Sequence, residues 1–347
     1  MEPIRLDLLN EQELVALSGI INAAGKIIIT CHKSPDGDAL GASLACAEWL
    51  RTKGKEPLIV VPDMFPDFLR WLPGVEKIRR YDKHKEELDK AFEEADTIFC
   101  LDFNATDRVG LMQKTLEESK ATKVLIDHHL EPTVNAEVSI SHPEMSATCE
   151  LLFRIMWQMG DYDNMSKHCA ISLYCGMMTD TGGFTYNSTR SEIFYIIGQL
   201  LAKGINKDKI YRSVYNVYSD WCIRLRGYVM YQKLNVLHDE HATYFAITKE
   251  DMARFRFKKG DAEGLVNEPL RIKGIRLSIS LREDTEVPGL VWVSIRSTDH
   301  YYCDELARTF FNGGGHANAA GGKLFGGIQD AERVTREAIK AFAQKYY

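Results

Sequence analysis

Aspartate and histidine residues recur directly after short apolar segments in the first part of the chain. Three of these segments cover residues 26–31, 98–102 and 124–127, and a fourth apolar stretch has helical spacing. The acidic and imidazole side chains at their ends are His32, Asp36, Asp38, Asp102, Asp127, His128, His129 and Asp180. Side chains of these types bind divalent metal ions and transfer protons, so the pattern indicates metal-assisted chemistry.

A group of carboxylates gathered at one place needs positive charge to balance it. Neighbouring carboxylates repel each other and raise each other's pKa values, whereas divalent cations remove that repulsion. Four or five carboxylates with two or three imidazoles suit two ions, and two ions ~3.5–4 Å apart would clamp a phosphoryl group during its displacement. Oxygen-rich ligation with imidazole and without thiolate favours Mn²⁺, or Mg²⁺, over structural zinc.

Each of these residues also has a structural interpretation when it is considered alone. Asp38 could cap its helix, Asp36-Gly37 could form a turn, and Asp102 at a strand end is more often a helix cap than a ligand. The structural interpretation of the whole group would require four such coincidences at one edge of a sheet. The metal-binding interpretation is therefore the stronger one.

The elements that must position these residues alternate between strands and helices. Predicted strands cover residues 26–31, 57–61, 98–102 and 124–127, and predicted helices cover 38–50, 83–94, 108–118, 146–159 (capped by Ser146), 167–179, 191–203 and 210–232. Apolar strands separated by helices are typical of a doubly wound α/β domain with a parallel sheet. Such sheets bind ligands beyond the carboxyl ends of their strands, where the acidic residues fall.

The pattern changes after residue 232. Residues 277–282 and 290–296 alternate apolar and polar side chains, which predicts half-exposed strands, and helical spacing returns at 303–311 and 331–345. We therefore predict a metal-binding catalytic domain at residues 1–205, a helical linker at 206–232 and a smaller mixed α/β substrate domain at 233–347.

Several motifs resemble those of one enzyme family. The segments are His32-x-x-x-Asp36-Gly37-Asp38-x-x-Gly41, Asp102 after a strand, Asp127-His128-His129, Thr179-Asp180-Thr181-Gly182 and Gly313-Gly314-Gly315-His316-x-x-Ala319-Ala320-Gly321. The first four resemble the motifs of the DHH phosphoesterases, and the last resembles the DHH-associated substrate domain. Their order resembles the bacterial oligoribonuclease (nanoRNase) branch, whose members also dephosphorylate 3′-phosphoadenosine 5′-phosphate (pAp).

The resemblance implies roles for individual residues. One Mn²⁺ would be held by His32, Asp36 and Asp102, and a second by Asp38, Asp102, His128 and Asp180, with Asp102 bridging. His129 would face the substrate phosphate and, with Asp102, would count as catalytic. The substrate would be bound by Arg296, Ser297 and the glycine-rich loop with Gly313, Gly314, Gly315 and His316. Apart from the resemblance, Arg282 and Arg296 lie toward the ends of adjacent predicted strands, where a guanidinium group can bind a phosphate in bidentate fashion.

Charge and composition limit the partners. The net charge is −6, which disfavours long duplex nucleic acids because these are held mainly by lysine and arginine. Short RNA oligonucleotides or small nucleotides fit better. No apolar run reaches the ~20 residues of a membrane span, and eight cysteines without a C-x-x-C pair suit reduced thiols, so we expect a cytoplasmic protein without a membrane partner. We make no prediction of the oligomeric state.

Two alternative functions remain open. One is a stand-alone cyclic or linear dinucleotide phosphodiesterase of the same superfamily. The other, from a different class, is a catalytically silent nucleotide-binding regulator, which the complete set of candidate ligands disfavours.

Overall fold

The apolar segments of the first half form a six-stranded parallel sheet in the computed structural model, which describes residues 4–258 and 260–347. The strands are β1 (Ile27–Thr30), β2 (Leu58–Val61), β3 (Arg79–Arg80), β4 (Thr97–Leu101), β5 (Thr122–Asp127) and β6 (Val138–Ser141). Their order is β3-β2-β1-β4-β5-β6, and all neighbours are parallel. Strand order reverses between β1 and β4, where open α/β sheets bind their ligands.

Helices cover both faces of this sheet. They are α1 (Glu11–Ala23), α2 (Gly37–Thr52), α3 (Lys85–Glu94), α4 (Gln113–Glu118), α5 (Thr148–Gln158), α6 (Lys167–Asp180), α7 (Ser191–Ala202) and α8 (Lys207–Tyr215). Successive residues of β1 and β4 enter two apolar clusters, with Ile29 and Phe99 in one and Ile28 and Ile98 in the other. The predicted doubly wound α/β fold is thereby confirmed.

The contact between α2 and α6 depends on glycine. A side chain at Gly41 would come within 2.6 Å of the Ser172 carbonyl oxygen, and one at Gly176 would overlap the Cys149 sulfur. The two helices can therefore lie close together, and Asp38 in α2 is held near the carboxyl end of α6.

The chain divides into two compact units between Val217 and Tyr218. The second unit contains α9 (Asp220–Tyr228), a π-helical turn (Val229–Lys233), β7 (Asn235–Leu237), β8 (Ala242–Ile247), α10 (Lys249–Arg254), β9 (Leu277–Glu283), β10 (Leu290–Ser297), α11 (Asp304–Phe310), β11 (Gly314–His316), β12 (Ala319–Phe325) and α12 (Ile328–Tyr346). The sheet order is β11-β12-β10-β9-β8-β7, and only the β8–β9 pair is parallel among the described strands. This mixed sheet agrees with the predicted smaller α/β fold.

Three local predictions differ from the structure. The helix predicted over 210–232 is interrupted, because Asn216 leaves the helical conformation and Ser219 caps a new helix by accepting a hydrogen bond from the Cys222 amide. The predicted linker is thus divided between the two units. Ser146 does not cap α5: the helix starts after Ala147, and Ser146 donates to Glu150 instead.

The third difference is the glycine-rich segment, which was predicted as a loop. Most of it forms the hairpin β11–β12, in which Gly315 pairs with Ala320. Glycine has low strand propensity, so the spacing of the glycines did not indicate a strand.

None of the helices in the described part of the chain has both the length and the apolar character that a membrane span requires.

Candidate metal centre

The carboxyl ends of three neighbouring strands bring the acidic and histidine side chains together. His32 lies two residues beyond β1, Asp102 directly follows β4, and Asp127 ends β5. Asp102 has a φ of 64°, a left-handed conformation that non-glycine residues rarely adopt and that is frequent at functional sites. The parallel arrangement explains why these sequence-distant residues meet at one edge.

One cluster contains His32, Asp36 and Asp102. The His32 Nε2 atom lies 3.7 Å from Asp36 Oδ2 and 3.5 Å from Asp102 Oδ2. One ligand atom from each residue lies within 4.8 Å of the others, so a single cation can reach all three. The helix cap expected at Asp38 is instead Asp36, which caps α2 by accepting hydrogen bonds from the Asp38 and Ala39 amides. This cap leaves Asp36 Oδ2 toward His32.

The second cluster contains Asp38, Asp102 and His128, with Asp180 beside them. The His128 Nε2 atom lies 3.6 Å from Asp102 Oδ1, 3.9 Å from Asp38 Oδ2 and 3.4 Å from Asp180 Oδ2. Asp102 therefore turns one oxygen toward each cluster. The six predicted ligands thus lie in two adjoining clusters, and Asp102 is the residue that both clusters share.

The two histidines are oriented by backbone carbonyl groups. His32 Nδ1 donates to the Lys33 carbonyl at 2.8 Å, and His128 Nδ1 donates to the Met145 carbonyl at 3.2 Å. A carbonyl oxygen can only accept, so each ring carries a proton on Nδ1 and turns Nε2, the nitrogen that would bind a metal ion, toward the carboxylates. Metal-binding histidines are commonly fixed in this way.

The start of α5 holds the carboxylates from the other side, a feature that the sequence analysis missed. The Thr148 and Cys149 amides donate to the Asp38 oxygens at 2.6 and 2.9 Å, and Thr148 Oγ1 donates to Asp102 Oδ1 at 2.9 Å. Asp38 thus caps a helix that begins 110 residues later in the chain. No local sequence signal marks such a contact.

The electrostatics of the buried group favour a bound cation. Burial, together with the nearby charges of Asp102 and Asp180, raises the pKa of Asp38 well above its usual value. Burial opposes protonation of His32, yet its contacts with Asp102 and Asp36 raise its pKa well above the ordinary value. These carboxylates thus favour the protonated, positively charged form of the nearest imidazole, that of His32. Divalent cations would provide that charge directly, and the oxygen and imidazole donors fit Mn²⁺ or Mg²⁺.

His129 is held by a carboxylate that was not predicted as a site residue. Its Nδ1 atom lies 2.7 Å from Asp127 Oδ1, and Asp127 is fully buried. The other carboxylate oxygen, Asp127 Oδ2, is buried without a hydrogen-bond partner among the described residues. A buried carboxylate beside Nδ1 keeps the ring proton on that nitrogen and fixes the orientation of the ring.

A buried charged network supports the start of α5. The Glu150 carboxylate accepts hydrogen bonds from the Ser146 amide at 2.8 Å, from Arg154 Nη2 at 2.8 Å and from Arg190 Nη2 at 2.7 Å. Glu150 is fully buried and Arg154 is 3% exposed. This network fixes the segment that carries Met145 and Thr148, and sequence reasoning missed it.

In the second unit, the structure brings most of the predicted substrate residues together. Arg296 and Ser297 end β10, Arg296 pairs with Ala319, and β11 with Gly314 and His316 lies on the other side of β12. Arg296 donates to the Ile295 and Ala320 carbonyls. No acidic side chain in the described part of the chain forms an ion pair with it, so its charge can bind an anion.

Arg282 lies elsewhere. It pairs with Trp292 near the loop that joins β9 and β10, four residues along β10 from Arg296. Because the two strands are antiparallel, the C-terminal ends of both cannot lie at the same place. Arg282 is therefore not brought together with the other predicted substrate residues.

The glycines of the hairpin have different environments. A side chain at Gly313 would overlap the Gly321 carbonyl, and one at Gly315, whose φ is 149°, would overlap the Ala319 carbonyl. These two glycines permit close backbone approach. Gly314 is exposed with open space beside it, so it is the glycine that a ligand can approach.

Comparison with known proteins identifies relatives of the chain. The family model described as "DHH family, N-terminal domain" matches residues 26–177. The bifunctional oligoribonuclease and PAP phosphatase NrnA of Thermus thermophilus is 27% identical over 91% of this chain and 90% of its own length. The cyclic-di-AMP phosphodiesterase PdeA of Listeria monocytogenes is 25% identical over 94% of this chain, but over only 49% of PdeA.

Two solved structures are similar to the chain. An exopolyphosphatase-related protein from Bacteroides fragilis has 45% sequence identity and a TM-score of 0.93, covering 97% of this chain and 98% of that protein. RecJ from Thermus thermophilus in complex with Mn²⁺ has 14% identity and a TM-score of 0.53, covering 100% of this chain and 56% of RecJ. The RecJ likeness concerns the fold alone.

Proposed function

Because the chain belongs to the DHH family, we propose that it is a two-metal phosphoesterase that hydrolyses short oligoribonucleotides to mononucleotides and dephosphorylates pAp. The observation that carries this proposal is Asp102, whose two oxygens face two separate groups of candidate ligands. The names of the NrnA relatives, which match over most of their length, support the choice of substrates.

The proposed cofactor is a pair of Mn²⁺ ions, or Mg²⁺. His32, Asp36 and Asp102 would hold one ion, and Asp38, Asp102, His128 and Asp180 the other. Two bound ions would lower the pKa of a water molecule and balance the charge of the phosphoryl oxygens. The chain's own contribution is to hold these side chains in place before substrate arrives, through the α5 amides and the Met145 and Lys33 carbonyls.

We assign proton transfer to His129. Asp127 receives a hydrogen bond from His129 Nδ1, so the opposite ring atom, Nε2, would donate a hydrogen bond or proton to the phosphate or the leaving oxygen. The arrangement of an imidazole oriented by a buried carboxylate is one that enzymes use to keep a ring in the required tautomer. Asp127 would act as a positioning residue.

Substrate recognition would fall to the second unit. Arg296 has a charge without an acidic partner in the described residues, and Gly314 leaves the neighbouring backbone open. Ser297 and His316 lie at the same end of the sheet, and together these residues would bind a phosphate and sugar. The chain's net charge of −6 suits short substrates, and we propose that the enzyme works in the cytoplasm, where such RNA fragments arise.

A second candidate is hydrolysis of a cyclic or linear dinucleotide. The observation in its favour is the similarity to cyclic-di-AMP phosphodiesterases from Listeria and Geobacillus. Both of those proteins are about twice as long as the part that matches here, since this chain covers 49% and 48% of them. The activity of these longer cyclic-di-AMP phosphodiesterases is therefore weaker support for the function of this chain than the activity of the NrnA relatives.

The test is a Mn²⁺ assay across substrates: 5′-phosphorylated RNA from dinucleotide to long strand, pAp, and a cyclic dinucleotide. Fast release of mononucleotides from the shortest RNAs, with phosphate from pAp, is the expected result. Preference for the cyclic substrate would favour the second candidate. Absence of turnover on every substrate, with two metal ions bound, would refute both and favour a nucleotide-binding regulator.

A further inference from the structure

One face of the second unit's sheet is left open over β10 and β12. The side chains of Val291, Val293 and Ile295 point to the other face and pack in the cluster that includes α11 and α12. The alternate residues Trp292 and Ser294 are exposed. The open face therefore consists of side chains that contribute nothing to that core.

Two large aromatic rings stand on this open face. Trp292 is 41% exposed and Phe325 is 65% exposed. Trp292 pairs with Lys323 of β12, and Phe325 is two residues further along β12, opposite Leu290. Residues two apart on a strand face the same side, so both rings lie on one surface. Single exposed rings are common on protein surfaces, whereas neighbouring exposed rings on one face are more often part of a binding surface.

The same surface carries positive charge. Trp292 has Arg282 opposite it on β9 and Lys323 opposite it on β12. Neither cation forms an ion pair in the described part of the chain, and Arg282 instead lies over the Phe257 ring at 5.6 Å. Asp284, two residues from Arg282, accepts a hydrogen bond from Trp292 Nε1 at 2.7 Å and so fixes the indole ring. Arg282 and Lys323 therefore flank a ring whose orientation is held by a carboxylate.

A path of small residues leads from these rings to Arg296. Trp292 and Arg296 are four residues apart on β10, a separation of about 13 Å at the rise of a β-strand. Between them the open face carries Ser294, which pairs with Ser280 and Gly321. Ser294 is exposed and both of its strand partners are small, so an extended chain can lie along this part of the strand.

We propose that Trp292 and Phe325, flanked by Arg282 and Lys323, form an aromatic platform that binds single-stranded oligonucleotide beyond the nucleotide held near Arg296. Aromatic rings beside cations are the usual means of binding single strands without sequence preference, because every base can stack. The inference rests on the proposed function, and it assigns Arg282 a phosphate further along the substrate. Substrates of three or more nucleotides would reach the platform, whereas pAp and dinucleotides would not.

The test compares Trp292→Ala with wild type on pAp, a dinucleotide and a pentanucleotide, with Mn²⁺ present. We expect KM for the pentanucleotide to rise roughly tenfold, the effect of losing one stacked base, with kcat unchanged. KM for pAp and the dinucleotide should stay within twofold. Trp292→Phe should restore most of the pentanucleotide affinity. The matched control is Tyr302→Ala, since Tyr302 is also 49% exposed but lines a groove between α11 and α12.

A binding measurement separates this inference from the proposed function. Fluorescence anisotropy with a labelled, hydrolysis-resistant pentanucleotide reports on the platform even if no substrate is cleaved. Weaker binding of the pentanucleotide by Trp292→Ala, with wild-type binding by Tyr302→Ala, supports the platform. Equal binding by wild type and Trp292→Ala overturns it, as does a change in oligomeric state in Trp292→Ala with unchanged oligonucleotide binding, which would make this face an interface between copies.

Discussion

Glu150 holds the segment that contacts the candidate metal centre, so substituting it tests the importance of that segment without changing a proposed metal ligand. In a Glu150→Gln variant the size of the side chain is kept, but one oxygen becomes an NH₂ group. One Glu150 oxygen accepts from Arg154 Nε and Nη2, and the other accepts from the Ser146 amide, Ser146 Oγ and Arg190 Nη2. Whichever way the amide lies, at least two donors lose their acceptor.

The magnitude follows from those lost contacts. A hydrogen bond to a charged group contributes ~1.5–3 kcal/mol, and breaking a buried ion pair by removing one charge costs ~3–5 kcal/mol. Arg154 stays buried at 3% exposure without its counter-charge, so we expect a loss of about 3–5 kcal/mol. For a unit of this size, each kcal/mol lowers Tm by ~2–4 °C, which gives a decrease of roughly 6–20 °C.

Thermal unfolding followed by near-UV circular dichroism is the assay, and Glu87→Gln is the control. The Glu87 side chain is 60% exposed and pairs with Arg79, so its neutralisation should cost under ~1 kcal/mol. The Glu150 variant should also bind Mn²⁺ more weakly, since the segment that it fixes carries the Met145 carbonyl and the Thr148 amide. A Glu150→Gln protein with the Tm and Mn²⁺ affinity of the control would refute this reasoning.

Three further predictions concern the centre itself. Asp102→Ala should lower kcat by at least about a thousandfold, since it removes the group common to both clusters; near-normal Mn²⁺-dependent turnover would contradict the two-ion scheme. Mn²⁺ at a hundred times its Kd should stabilise the folded protein by ~2.7 kcal/mol, seen as a rise in Tm that EDTA reverses; an unchanged Tm would count against metal binding. Asp127→Asn should lower kcat by ~10²–10⁴ with little change in KM, because the His129 proton is no longer held on Nδ1; a change confined to KM would mean that Asp127 serves binding instead.

The residues of the candidate centre could be predicted because their positions follow from strand ends. Each of β1, β4 and β5 is a short, largely apolar run, and each ends in or is followed within two residues by an acidic or imidazole residue. In a parallel sheet such positions share one edge, so three local signals were enough to bring distant residues together. The fold class was predictable for the same reason, since apolar runs separated by helices have few other arrangements.

Other features depend on contacts that leave no local pattern. The sequence analysis assigned Arg282 and Arg296 to one substrate site, but antiparallel pairing places Arg282 opposite Trp292, four residues along β10 from Arg296. The hairpin β11–β12 was read as a loop because glycine weakens every strand signal, although Gly313 and Gly315 are needed for close backbone approach. The interrupted helix at Asn216 shows the same limit, because apolar spacing continued through the break.

Asp38 has both a role that the sequence indicates and a contact that it does not. Its place in the segment after β1 identifies it as a candidate ligand, yet its carboxylate also accepts the Thr148 and Cys149 amides at the start of α5. A helix start favours negative charge, whereas burial and the carboxylates of Asp102 and Asp180 raise the pKa of Asp38 and oppose that charge. The α5 amides offset part of this cost, and divalent cations would offset the rest. The position of α5 is therefore tied to the charge state of the centre, because the side chain that would bind the metal also caps the helix.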